Sequence, residues 1–162
     1  MYRSSSMDNT EPTGMEALYD HYSANRTDIR EPNEKDRTVE RLARSICNEH
    51  GIDFDSLNTE CRVMESIAVG FESFFGDPWG RLSTHKKKRD EHILLIREDM
   101  FCDDDLLYGV VAHELAHAVQ HHEWGGREED DPAFVFLCEM FGGFRGAKDI
   151  NAHVDRFDLP VQ

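Results

Sequence analysis

From residue 36 onward, apolar positions recur at spacings that define elements. Val39, Leu42, Ala43 and Ile46 repeat with the helical period after Asp36 and Thr38, and Gly51 stops the run. Leu57, Cys61, Met64, Ile67, Ala68, Phe71 and Phe75 continue at similar spacing. They predict a second helix from about Ser56 to Phe75, ended by Gly76, Asp77 and Pro78. The segment GRLSTHKKKRDEHILLIR (80–97) has a charged middle and an apolar end, which predicts two short strands joined by a turn near Lys87–Asp90. Asp103, Asp104 and Asp105 suit a helix N-terminus and open a helix from about Leu106 to Glu123. Leu107, Val111, Leu115 and Ala118 form its expected buried stripe, and Gly125 and Gly126 end it. The chain then returns through Arg127, Glu128, Glu129, Asp130 and Asp131. Pro132 starts another helix, with Phe134, Leu137, Cys138 and Phe141 on its inner side.

The expected fold is α+β over residues 38–162, with helices packed on one face of a small antiparallel sheet. Residues 1–37 are polar, with Met15, Leu18, Tyr19 and Tyr22 their one apolar cluster, and read as a flexible arm with one short helix.

The chemistry lies in the helix that begins near Leu106. It contains HELAH at 113–117. Residues four apart share a helix face, so His113 and His117 can grip one divalent ion between their imidazoles. Glu114 lies about 100° around the helix from His113, able to reach a water beside the ion without binding the ion itself. That is the arrangement of a zinc metallopeptidase helix, with Glu114 as general base for peptide hydrolysis. A hydrolytic zinc site wants a third protein ligand and an open position. His121 shares the face but lies about 12 Å along the axis from His113, too far to join in an unbroken helix. His121 and His122 therefore read as outer or surface residues. A carboxylate from the returning loop can complete the site. Tyr108, His85 and His153 are the candidates for an oxyanion donor, with Tyr108 reading as core.

Composition narrows the class. Asp plus Glu number 33 against 18 Lys plus Arg, a net charge of -15. Such a surface repels phosphate backbones and argues against a broad nucleic-acid face. Carboxylates in excess with only 5 Lys suit solubility at high salt, which points to a high-salt organism or its virus. The basic cluster Lys86–Arg89 reads as a solvated turn on an edge hairpin. Cys47, Cys61, Cys102 and Cys138 form no CxxC pair and read as reduced thiols. No run approaches the roughly 20 apolar residues of a membrane span, and MYRSSSMDNTEP lacks the apolar core of a secretory leader. A cytoplasmic location is the expectation.

The stretch from His92 to Phe134 resembles the SprT-like (Spartan-type) metallopeptidases, in which a strand hairpin precedes a HELxHA helix and a short loop ends in HGxxF. HELAHA stands at 113–118, and Asp130-Asp131-Pro132-Ala133-Phe134 falls where HGxxF would be. The resemblance implies a zincin-like fold with HExxH on a central helix, a zinc cofactor, a protein or peptide substrate, and Asp130 as third ligand. Phe134 would pack beneath the site. Association with DNA is implied only through substrates crosslinked to it. The family's frequent zinc ribbon is absent from this chain. ImmA/IrrE-type peptidases are also similar. They carry a further His where His121 stands and take an acidic ligand from a following helix, which would make Asp130, Asp131 or Glu139 the third donor.

Overall fold

The computed structural model describes residues 32–64, 80–84 and 91–154. The arm at 1–31, the apolar positions Ile67 to Phe75, His85 and the turn near Lys87–Asp90 lie outside the described residues.

Helix α1 (Glu34–Glu49) starts ahead of the expected Asp36 because Asn33 caps it. The Asn33 side chain accepts from the Asp36 N–H at 2.9 Å, and Asp36 accepts from the Asn33 N–H at 3.0 Å, a reciprocal capping box. Its apolar face, Val39, Ala43, Ile46 and Cys47, is buried. Asp36 is buried too, because its other oxygen accepts from Val63 N–H at 2.8 Å and it faces the Arg62 guanidinium at 3.5 Å. One carboxylate thus joins the start of a helix to a strand.

That strand corrects the second expected helix. Phe54–Leu57 make one 3-10 turn, Asn58 turns left-handed at φ 49°, and Thr59–Met64 form strand β1. The spacing of Leu57, Cys61 and Met64 fits a helical period, but Cys61 and Val63 also fit a strand. Pairing with a distant strand decides the outcome, as tertiary contacts override a local period.

Strands β2 (Gly80–Thr84) and β3 (His92–Arg97) pair antiparallel, as expected of the 80–97 segment. The sheet order is β1-β3-β2, and β1 runs parallel to β3 with Thr59 opposite His92. The three-stranded sheet is therefore mixed, not antiparallel. Central β3 is buried at all six positions, which explains its unbroken apolar run. Cys61, Leu82, Leu94 and Ile96 share one core with the helices.

After a 3-10 turn at Glu98–Cys102 comes α2 (Asp104–Trp124), capped by the Asp103 carboxylate on Leu106 N–H at 3.0 Å and stopped by Gly125 at φ 78°. Leu106, Val110, Ala112, Ala116 and Val119 are buried along with the expected stripe, so α2 is buried on all sides. Helices α1, α3 (Pro132–Phe141) and α4 (Ala147–Val154) and the sheet pack around it. The architecture is α+β, and among the described residues no helix is long and apolar enough to cross a membrane.

Removing the Asp36 carboxylate leaves the Val63 N–H and Arg62 without that partner inside the fold. Asp36→Ala is expected to lower the unfolding free energy by about 3 kcal/mol or more. Chemical denaturation measures this, and a loss below about 1 kcal/mol would contradict the role assigned to Asp36.

Candidate metal centre

Because the middle of α2 is central, His113 and His117 are buried, and each of their ring nitrogens needs a partner inside the protein. His113 and His117 lie edge to face with centroids 5.0 Å apart. Phe134, the first buried residue of α3, stacks on His117 at 4.1 Å and meets His113 edge-on at 5.1 Å. The aromatic thus packs against both rings, at the position expected for it.

The Nε2 atoms converge on a carboxylate. His113 Nε2 is 3.0 Å and His117 Nε2 3.4 Å from the same oxygen of Glu129. These three side chains offer ligand atoms within 4.8 Å of one another, the one such group among the described residues. They border an open cavity of about 500 Å³, lined also by Leu82, Glu114 and Arg127. Glu114 is buried beside strand β2, where a Cβ on Gly80 would come within 3.2 Å of its carboxylate. Arg127 donates to the Leu82 carbonyl at 3.2 Å.

The structure thus brings His113, His117 and Glu114 to one cavity, but the carboxylate at the imidazoles is Glu129 where Asp130 was expected. A turn closed by Asp131 N–H on the Glu128 carbonyl places Glu129 and Asp130 at its two central positions. Glu129 reaches the rings, while Asp130 borders the cavity with its side chain exposed. Asp131 is engaged as the N-cap of α3, accepting from Ala133 N–H at 2.9 Å, and Glu139 is exposed on α3. The sequence named the loop; only the turn's geometry selects the residue. His121 packs against His92 at 5.1 Å and lies outside the donor group, and His122 is exposed. Tyr108 donates to the Phe141 carbonyl at 2.8 Å, and His153 faces Asp103 at 3.5 Å, so neither serves the cavity.

The far side of His113 is also held. Its Nδ1 lies 2.5 Å from the Phe144 carbonyl, which also accepts from the Cys138 thiol at 3.0 Å. A Cβ on Gly109 would come within 2.3 Å of the Phe144 ring, and one on Gly143 within 2.8 Å of the His113 amide nitrogen. The chain can pass this close only where those side chains are missing. Burial pushes His113 toward neutrality, but Cys138, Glu129, the nearby Glu114 charge and the Phe144 carbonyl outweigh it and raise the imidazole to about 11. His113 and then His117 hold the Glu129 carboxyl far below the usual range.

Searches against protein-family models, curated proteins and solved structures find no match for this chain.

Two outcomes are expected of a cation held by this group, with added zinc as the probe. Glu129→Ala should weaken zinc binding by more than the roughly 10–100-fold typical of an outer partner, and Asp130→Ala by less; the reverse order would restore Asp130 as the ligand. Because His113 holds a proton at neutral pH without metal and ligation needs the neutral ring, zinc uptake should release protons and tighten as pH rises. Calorimetry in buffers of different ionisation enthalpy measures this, and affinity independent of pH between 6 and 8 would contradict it.

Proposed function

We propose that the chain is a zinc-dependent metallopeptidase with a zincin-like catalytic helix. The observation that carries this reading is the convergence of two buried imidazole Nε2 atoms and the Glu129 carboxylate on one point of an open cavity that Glu114 also lines. The donor set fits zinc: two nitrogens and one oxygen, which in a hydrolytic site leave one position open. A zinc ion there would act as a Lewis acid on the scissile carbonyl and make the attacking water more acidic.

The chain's own residues divide the remaining work. His113, His117 and Glu129 hold the cation. Glu114 is one residue from His113 and faces the cavity, so it accepts the proton of the attacking water and returns it to the leaving amine. Among the described residues strand β2 is a sheet edge, and it reaches the cavity through Leu82, so an extended peptide can lie along it. Arg127 brings positive charge to a cavity otherwise bordered by Glu114, Glu128, Glu129 and Asp130.

The SprT-like resemblance supports a short loop between the HELAHA helix and the next helix; it implies Asp130 as third donor, whereas the carboxylate beside the two rings is that of Glu129, one residue earlier. The ImmA/IrrE-type resemblance supports an acidic third donor. We take the loop connection and Phe134 as the reason to prefer the first. A protein or peptide substrate follows from either. With 33 acidic against 18 basic residues, no DNA-binding role is proposed.

Glu114→Gln should keep full zinc content while lowering hydrolysis of an unstructured protein substrate by about 10²–10⁴-fold. Metal analysis beside a casein cleavage assay reads both. Undiminished cleavage by the variant would remove Glu114 as the base, and zinc-loaded wild-type protein that cleaves nothing would leave a metal site without a peptidase.

A further inference from the structure

Resting on the metal site proposed above, we infer that Gln120 is a positioning residue that aims His117 and the Glu129 loop at the cation together. Gln120 is fully buried, three residues after His117 on the same face of α2. Its Oε1 lies 3.0 Å from His117 Nδ1. Its Nε2 donates to the Glu128 carbonyl at 3.0 Å and to the Asp131 carboxylate at 3.3 Å.

These contacts determine one another. Both groups facing the amide nitrogen are acceptors only, so the –NH2 end must point at the loop. Turned the other way, the amide oxygen would face a carbonyl and a carboxylate in a buried site. The oxygen therefore faces His117, and Nδ1 must be the donor. With Nδ1 engaged as the donor to Gln120, Nε2 is the ring nitrogen left to face the cavity and to serve as the ligand atom. The same amide grips the residues on both sides of the Glu129–Asp130 pair. It thereby fixes the turn that delivers Glu129 to His113 and His117. One side chain sets the direction of one ligand and the place of another, and His113 receives the equivalent service from the Phe144 carbonyl.

The two functions of the amide separate by substitution. Gln120→Met keeps the length but removes both; Gln120→Glu keeps an acceptor for His117 and loses the donor to the loop. Chelator competition measures zinc affinity, and proton NMR of the zinc-loaded protein observes the His117 Nδ1–H directly. Gln120→Met is expected to weaken zinc about 10–100-fold and lose that resonance to solvent exchange. Gln120→Glu should retain the resonance and weaken zinc less. In a Glu129→Ala background, where the loop supplies no ligand, Gln120→Glu should cost no further affinity. A merely structural amide would alter thermal stability without separating the two variants in this way. Wild-type affinity with an unchanged resonance in Gln120→Met would overturn the role of Gln120 and leave the metal site standing. If the Met variant does not fold, a Glu variant with wild-type affinity in both backgrounds, or without the Nδ1–H resonance, would overturn it equally. No zinc bound by the unmodified protein would instead sink the metal site itself.

Discussion

Two imidazoles buried one helical turn apart, with their Nε2 atoms aimed at a shared carboxylate, impose the constraint around which the rest of the fold is arranged. Inside a protein an imidazole cannot leave its second nitrogen without a partner at low cost. His113 therefore needs the Phe144 carbonyl, and His117 needs the Gln120 amide. Those needs determine which chain segments must approach α2. The turn after α3 has to pass against α2, with the Phe144 ring on Gly109 and Gly143 on the His113 backbone, and the loop after α2 has to fold over Gln120. Phe134 then covers the two rings from α3.

The site is thus made of one element and two returns. Helix α2 supplies the two histidines, Glu114 and Gln120, and its burial on every side keeps their geometry stiff. The loop supplies Glu129, and its stiffness comes from the Gln120 amide and the Asp131 cap at the start of α3. Strand β2 borders the cavity through Leu82, with Gly80 packed close to the Glu114 side chain.

Local signals made much of this readable beforehand. The Asp103 cap, the Gly125 stop, Pro132 at the start of α3 and the HILLI run each act within a few residues, and each element stands where those signals placed it. His113, Glu114 and His117 followed from the HELAH motif and its helical spacing. Strand β1 did not, because Leu57, Cys61 and Met64 fit a helix as well, and only parallel pairing with β3 selects the strand. Glu129 was legible as one of five residues in a loop but not as the residue, since a turn's direction depends on what holds its ends. Gln120 and the Phe144 carbonyl carried no motif. The available hint was a polar amide three residues after a histidine of the HELAH motif, on a helix otherwise rich in Ala, Val and Leu.

The proposed centre is a cation held by two imidazoles and one carboxylate with one position left for water. The X-ray absorption spectrum of the zinc-loaded protein tests it most directly. One zinc per chain is expected, bound by two imidazole nitrogens and by oxygen at about 2.0–2.2 Å, with no sulfur. A sulfur shell near about 2.3 Å, a single imidazole, or no zinc retained would contradict it.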